Sequence, residues 1–290
     1  MEAPPVMAAD VCNAAPSQQR AKWRWWVWCA LLMPYPILLG SVPTLLKYLN
    51  VAMLDTQTVL PSTTRELWWV AAENLGLFLV LYLLAWIATR PSPDELFFRG
   101  GVRISSRTLS SYWLLPLGIL YSVGVRIPVS ICLGIALGVA YFLSYGDPSA
   151  LQAYRPKIEE VIDPMALADP LYFFLTLTLL SFVVAGFREE LWRTAVLVGL
   201  LRLLPSGWQD WKGRLLVLTI SSLVFGFGHL PQGPAGILAT TILGFLLGGL
   251  TLYHRSLWLA VLAHGFFDAT SFGALRLAQQ YGILDQVLGK

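Results

Sequence analysis

Long apolar runs separated by short polar segments dominate the chain, and their lengths predict membrane-spanning helices. About 20 apolar residues in a helix cross the roughly 30 Å hydrocarbon layer of a bilayer. Seven runs approach or exceed this length: Trp25–Leu46, Leu67–Ala88, Ile127–Tyr145, Pro170–Leu204, Leu215–His229, Ala235–Tyr253 and Ser256–Leu275. The pattern therefore predicts an all-α fold, a polytopic transmembrane helix bundle of about seven spans.

The segments between these runs suggest how the chain is divided. Residues 1–19 are rich in Pro and Ala without apolar periodicity, which predicts a disordered cytoplasmic tail. Tyr112–Val125 is apolar but ends at Arg126, so we expect a short interfacial or re-entrant piece that does not cross. The sequence thus predicts N-terminal transmembrane helices over residues 20–169 and a second transmembrane unit over residues 170–290 that contains the candidate chemistry.

Composition supports an integral membrane protein. The 290 residues are 56% hydrophobic and only 13% charged, whereas soluble domains carry about 25% charged residues. The formal net charge of +3 is too small to indicate a nucleic-acid partner, so the expected surroundings are a lipid bilayer. The three cysteines are far apart and form neither a disulfide framework nor a CxxC metal site.

The distribution of Lys and Arg predicts the orientation of a multi-pass protein in a cell inner or plasma membrane. Basic residues cluster before the first run, over Arg90–Arg107, over Arg202–Arg214 and at Arg255. With seven crossings these clusters fall on one side, and short basic loops remain cytoplasmic. We therefore expect a cytoplasmic N-terminus and a C-terminus on the outer side.

One apolar run contains four charges in the stretch GFREELWRTAVL, namely Arg188, Glu189, Glu190 and Arg193. Ionisable residues at membrane depth are costly, and they usually face the bundle interior in a functional site. The alternative is structural, because two Arg residues could pair with two Glu residues and hold helices together.

Two histidines within apolar helices favour the functional interpretation. His229 is four residues after Phe225, and Asp268 is four residues after His264, so each pair shares a helix face. Counting about 1.5 Å per residue places Glu190 and His229 about 21–22 Å from the cytoplasmic loops. His264 and Asp268 lie at about 14 and 20 Å. Three helices thus bring these groups to similar depth, displaced toward the outer half of the bilayer.

The residue types narrow the chemistry to peptide hydrolysis by an activated water. No Ser-His pairing and no HExxH zinc motif is present. A Glu can activate water directly with the help of a His, or a metal such as zinc could be held by His229, His264 and a Glu. A second imidazole can donate to the oxyanion that forms on the attacked carbonyl. We expect no required cofactor, and metal dependence stays open.

At these residues the sequence resembles the CPBP family, which comprises CAAX proteases and bacteriocin-processing enzymes of the intramembrane endopeptidase type. The family pattern is EExxxR, then FxxxH, then HxxxN or HxxxD. The corresponding residues here are Glu189-Glu190 with Arg193, Phe225 to His229, and His264 to Asp268. The resemblance covers about Leu175–Phe272 and implies that Glu189 and His229 activate the water. It also implies that His264 and Asp268 act on the oxyanion.

The chain departs from this pattern at two positions. The family's Arg position is occupied by Thr194, with Arg193 one residue early, so either Arg193 or Arg188 could hold the second Glu. Asp268 stands where many members have Asn. An ionised Asp cannot donate to an oxyanion, so Asp268 either is protonated, which the sequence alone favours, or orients His264.

The resemblance implies a polypeptide substrate with a transmembrane or membrane-proximal segment. Because the depth argument places the site toward the outer side, we expect removal of a C-terminal sorting helix or a leader from an exported protein. Two rival functions remain. An ion-coupled transporter would use the Glu pair as a relay, and an immunity or scaffold protein would keep the fold without the chemistry.

Overall fold

The computed structural model describes residues 22–42, 45, 61–98, 102–104, 107–147, 149–208 and 210–283. The tail predicted over residues 1–19 lies outside these ranges. Within them the protein is a helical bundle, so the all-α prediction is confirmed. The strands of the described residues form one short antiparallel hairpin of β1 (Val102–Ile104) and β2 (Arg107–Leu109) between two helices.

The helices follow the predicted runs. Their bounds are α1 Lys22–Leu32, α2 Thr64–Thr89, α3 Leu114–Leu143, α4 Ser149–Tyr154, α5 Pro170–Leu175, α6 Glu190–Leu203, α7 Trp211–Phe227, α8 Gly233–His254 and α9 Leu257–Gln280. Two π-helical segments, Ile37–Ser41 and Thr176–Glu189, belong to the first and fourth runs. The second of these joins α5 to α6 in one continuous helical rod.

Four helical stretches in the described part of the chain are long and apolar enough to cross a bilayer. They are Thr64–Thr89, Ser111–Leu143, Pro170–Leu203 and Leu230–His254. Large apolar side chains such as Trp69, Leu120 and Phe142 are exposed on the outside of the bundle. In water this exposure would be unfavourable, whereas in lipid it is the expected arrangement. The protein is therefore an integral membrane protein.

The structure corrects the prediction for Tyr112–Val125. This stretch is not a separate interfacial piece but the first part of α3, which runs unbroken from Leu114 to Leu143. Pro128 lies inside the helix, where it cannot donate an N–H bond to the carbonyl four residues earlier, but it does not end the helix. Arg126 does not end the span, because its side chain finds hydrogen-bond acceptors on a neighbouring helix.

Two buried tryptophans attach the N-terminal helix to the second half of the chain. The indole N–H of Trp28 donates to the carbonyl of Ala195 at 2.7 Å, and that of Trp192 donates to the carbonyl of Leu32 at 2.6 Å. Both rings are fully buried. A buried indole needs such an acceptor, so these reciprocal bonds fix α1 against α6.

Gly244 and Gly248, four residues apart in α8, lie where helices approach each other closely. A Cβ atom at Gly248 would lie 2.6 Å from a methyl of Leu218 and 3.3 Å from Cδ of Arg193. At Gly244 it would lie 3.0 Å from the Phe225 ring. These glycines let α8 approach α7 and the Arg193 side chain, as small residues do in membrane bundles.

Candidate active site

The two adjacent glutamates lie where the π-helix changes into α6, and their environments differ. Glu189 is the last π-helical residue, and Glu190 is the first residue of α6. The Glu190 side chain is fully buried, whereas that of Glu189 keeps 13% of its surface exposed. Departures from α-helical geometry of this kind are frequent at functional sites. Of the two carboxylates, Glu189 is the one that a water or substrate can reach.

Two glycines bring the π-helix against α9. A Cβ atom at Gly186 would lie 2.9 Å from the carbonyl oxygen of Val261. At Gly265 it would lie 2.3 Å from the Phe182 ring. The absence of both side chains therefore permits the approach that places the Glu pair beside His264.

We expect Gly186→Ala to lower the thermal stability of the detergent-solubilised protein by about 1–3 kcal/mol, because its methyl group must displace backbone. Gly273→Ala on α9 is the matched control, since a Cβ atom there has nothing within 4 Å. The control should stay within about 0.5 kcal/mol of wild type. Equal effects of the two substitutions would contradict the close-approach interpretation.

Glu190 holds both Arg193 and His264. Its Oε1 accepts from Nη1 of Arg193 and, at 2.7 Å, from Nδ1 of His264. Arg193 is itself fully buried. The structure thus pairs Arg193 with the second Glu, despite its position one residue early. Since Nδ1 of His264 donates to a carboxylate, only an imidazolium could also donate from Nε2.

Glu189 is oriented by a chain of contacts from the N-terminal helices. Its Oε1 accepts from Nη2 of Arg188 at 2.5 Å, and Nη1 of Arg188 donates to Oδ1 of Asn74 at 3.0 Å. The hydroxyl of Tyr35 donates to the backbone carbonyl of Asn74 at 3.0 Å. Oε2 of Glu189 lies 3.9 Å from Nε2 of His264, beyond hydrogen-bond distance. This oxygen therefore faces the imidazole across a gap that a small group can bridge.

Sequence reasoning missed Tyr35 and Asn74, which complete this chain of contacts. Asn74 interrupts the second apolar run next to Glu73, and this polar break was the only local signal. Neither residue belongs to the motifs that carry the family resemblance. They show that N-terminal helices without predicted catalytic residues help to position the Glu189 carboxylate.

His229 follows the end of α7 and presents one ring nitrogen to the site. Its Nδ1 donates to the carbonyl of Phe225 at 2.9 Å, which leaves Nε2 of a neutral ring as an acceptor. Phe225 packs edge-on against His229 with ring centroids 4.6 Å apart, and against His264 at 6.4 Å. The guanidinium of Arg193 lies 4.2 Å from the same ring. The ring of Phe225 therefore packs against His229, His264 and Arg193 and helps to fix their positions.

Asp268 lies one turn after His264 on α9, with 22% of its side chain exposed. Its Oδ2 is 3.8 Å from Nε2 of His264, which is close enough for an ionic interaction but too long for a hydrogen bond. Nε2 of His264 thus lies between two carboxylates, those of Glu189 and Asp268, without bonding to either. The sequence offered no cation near Asp268, but Arg126 of α3 reaches the same turn of α9, where it donates to the carbonyl of Phe267 and the hydroxyl of Thr270.

The structure therefore brings all six predicted site residues into one cluster: Glu189, Glu190, Arg193, His229, His264 and Asp268. The donors do not fit a metal centre. A catalytic zinc takes three protein ligands and keeps one open position. Within the described ranges, no group of three His, Cys, Asp or Glu side chains is arranged to hold a metal ion.

Comparison with known proteins places this cluster in a protease-like segment. Residues 171–270 match a family model described as type II CAAX prenyl endopeptidase Rce1-like. This match confirms the resemblance to the CPBP family over about a third of the chain, and it supports a membrane-protease kind of function. Searches of the curated proteins and of the solved structures found no match.

Proposed function

We propose that the protein is an intramembrane endopeptidase that hydrolyses a peptide bond with a water activated by Glu189 and His229. The observation that carries the proposal is the different exposure and bonding of the two glutamates. Glu190 is fully buried, and its Oε1 is bonded to Arg193 and His264, whereas Glu189 is partly exposed, so a water can reach its Oε2. A purely structural pair of ion pairs would have no reason to keep one carboxylate accessible.

The geometry supports a sequence of proton transfers that balances. A water donates one hydrogen bond to Oε2 of Glu189 and the other to Nε2 of His229, which directs an oxygen lone pair at the scissile carbonyl. The new C–O bond forms as Glu189 takes a proton from the water. The carbonyl becomes an oxyanion, which accepts from Nε2–H of the His264 imidazolium. The C–N bond then breaks as the proton passes from Glu189 to the leaving amine.

The surrounding residues prepare these groups without reacting. Arg188 binds Oε1 of Glu189 and so leaves Oε2 as the base. Glu190 fixes the ring of His264 through Nδ1 and, with Arg193, supplies a buried pair of opposite charges. Groups held in this way need no rearrangement as charge develops in the transition state.

The substrate class proposed is a polypeptide with a transmembrane or membrane-proximal segment. The Glu pair lies on the helical rod Pro170–Leu203, which is long and apolar enough to cross a bilayer, so a substrate would reach it from the bilayer or its surface. We favour removal of a C-terminal sorting helix or a leader at the outer half of the membrane, which rests on the predicted orientation. The name of the matched family makes a lipidated C-terminal CAAX peptide the second candidate.

The test is cleavage by the purified full-length protein reconstituted in lipid vesicles. Three substrates are compared: a protein with a C-terminal membrane helix, a protein with an N-terminal leader, and a prenylated CAAX peptide. Products are identified by mass spectrometry, with and without a chelator, and Glu189→Gln serves as the blank. Cleavage by wild type and not by the blank supports the proposal. Loss of cleavage on chelation, reversed by added zinc, would contradict the metal-free mechanism.

Asp268 has two candidate roles, and the structure changes the expectation about them. The sequence alone favoured a protonated donor to the oxyanion, for which Asn is an adequate substitute. The 3.8 Å distance from Oδ2 to the His264 ring, and the guanidinium of Arg126 bonded to Phe267 and Thr270 on either side of Asp268, instead support a carboxylate that faces the imidazolium. We therefore expect Asp268→Asn to lower kcat at least about tenfold at every pH, since the anion opposite His264 is lost.

The measurement is the rate of cleavage by wild type and Asp268→Asn between about pH 5 and pH 9, which brackets the usual range of perturbed carboxylates. Protein stability is recorded in parallel. An Asn variant as active as wild type across this range would restore the donor role.

A further inference from the structure

Arg126 is an isolated charge in an apolar helix, and its side chain reaches across to α9. Nη2 donates to the carbonyl of Phe267 and to the hydroxyl of Thr270, each at 2.6 Å. Nη1 donates to the hydroxyl of Ser271 at 3.1 Å. The guanidinium also lies 4.3 Å from the Phe267 ring. The contacted residues lie on either side of Asp268 in the sequence of α9.

The four partners of this guanidinium are neutral, so its charge must be balanced by another group. The charged groups that face Asp268 are His264 on its own helix, Glu189 and Glu190 on the adjacent rod, and Arg126 from α3. Arg126 supplies the cation that α9 itself lacks at this depth. A bare cation in an apolar span is costly unless it faces an anion or a polar interior.

Charges therefore alternate in order across three helices. Arg193 binds Glu190, Glu190 binds Nδ1 of His264, Asp268 faces Nε2 of the same ring, and Arg126 bonds to the residues on either side of Asp268. Two of the carboxylates around the imidazole, those of Glu190 and Asp268, thus each have an arginine on the side away from His264. Arg193 belongs to the motif that suggested the chemistry, whereas Arg126 lies outside the matched segment 171–270.

We infer that Arg126 is a positioning residue for the proposed hydrolysis, which holds the turn of α9 that carries Asp268 and so keeps this carboxylate opposite His264, the oxyanion donor. The inference rests on the proposed function. A simple helix-to-helix brace would use the same hydrogen bonds, but it would act on stability alone. A positioning residue acts through Asp268, so its effect on kcat disappears when Asp268 no longer carries a charge.

The experiment is a double-substitution cycle with Arg126→Gln and Asp268→Asn, using the cleavage assay and thermal unfolding of the full-length protein. Arg126→Gln should lower kcat by about 10- to 100-fold, as small misplacements of catalytic groups do, with KM changed less than about twofold. In the Asp268→Asn background the same substitution should change kcat by less than about twofold. Arg126→Lys, which keeps the charge but not the planar fork, should recover part of the loss.

Arg276→Gln is the matched control. Arg276 also lies on α9, and its guanidinium lies over the ring of Phe173 at 4.1 Å, close to the 4.3 Å of Arg126 over Phe267. It bonds to no residue of the candidate site among those described. Its replacement should leave kcat unchanged. A fall in kcat for Arg276→Gln would show that removing any arginine between helices lowers activity.

Two results would overturn the inference. One is an equal loss of kcat on Arg126→Gln in both backgrounds, and the other is a loss of stability with kcat unchanged. Failure of the wild type to cleave any of the three substrates would instead refute the proposed function, and the catalytic role of Arg126 with it. The unfolding measurements on the two single variants and the double variant remain informative in that case. Strictly additive losses of stability would refute the coupling between Arg126 and Asp268 itself.

Discussion

Glu189→Gln is expected to abolish cleavage with the fold intact. The amide occupies nearly the same volume as the carboxylate but cannot take a proton from the water, and loss of a general base costs about 10²- to 10⁴-fold in rate. Glu189 and its partner Arg188 keep only 13% and 11% of their side-chain surface exposed, but the amide oxygen can still accept from Arg188, so the lost charge should cost about 1–3 kcal/mol. The measurements are kcat on the identified substrate and the unfolding midpoint in detergent.

The same result is expected for His229→Ala, which removes the second acceptor for the water. The ring bonds only to the carbonyl of Phe225 on the preceding turn among its described hydrogen bonds, so its loss should affect the bundle little. Glu73→Gln is the control for both, because Glu73 is an exposed glutamate of α2 outside the site. Normal cleavage by both site variants would refute the assignment. Unfolding of both would favour the structural interpretation of the charged cluster.

Much of the fold was predictable because it depends on local patterns. Apolar run lengths place the helices, since a segment in lipid must satisfy its own backbone hydrogen bonds. The candidate site was predictable from two pairs at four-residue spacing, Phe225 with His229 and His264 with Asp268, and from the depth of each residue along its helix. Glu190 and His264 are 74 residues apart, yet counting 1.5 Å per residue put them at comparable depth. The glycines at 244 and 248 were likewise visible as a spacing.

The features that the sequence did not predict all depend on contacts between distant segments. Arg126 suggested the edge of a span, because an unpaired cation is unfavourable in lipid. Its acceptors lie more than 140 residues away in the chain, and no local pattern connects them. The assignment of Arg193 to Glu190 and of Arg188 to Glu189 is of the same kind. Both pairings were sterically possible on a helix, and the packing of α7, α8 and α9 around the rod decides between them.

The rival functions make different demands on these contacts. A transporter that used the Glu pair as a proton relay would need both carboxylates to exchange protons with solvent, but Glu190 is fully buried and bonded to Arg193. A scaffold protein would not need the free Oε2 of Glu189 or the unbonded Nε2 of His264. The arrangement supports hydrolysis because these two atoms, with Nε2 of His229, are the groups that a water and a carbonyl require.

Arg193→Ala is expected to have the largest effect on stability. Arg193 and Glu190 are both fully buried, and removing one partner of a buried ion pair costs about 3–5 kcal/mol because the other charge is left uncompensated. Cleavage should fall as well, since Glu190 orients His264. The measurement is chemical or thermal unfolding alongside kcat.

Two further variants make this last prediction specific to the ion pair. Thr194→Ala, at the neighbouring buried position, should cost less than about 2 kcal/mol, because it deletes a hydroxyl and one methyl group but no charge. The combined Arg193→Met and Glu190→Gln variant should regain much of the lost stability, since no bare charge remains. It should nevertheless stay inactive, because an amide cannot hold the His264 imidazolium as a carboxylate does. A loss from Thr194→Ala as large as that from Arg193→Ala would show that the arginine is not what stabilises Glu190.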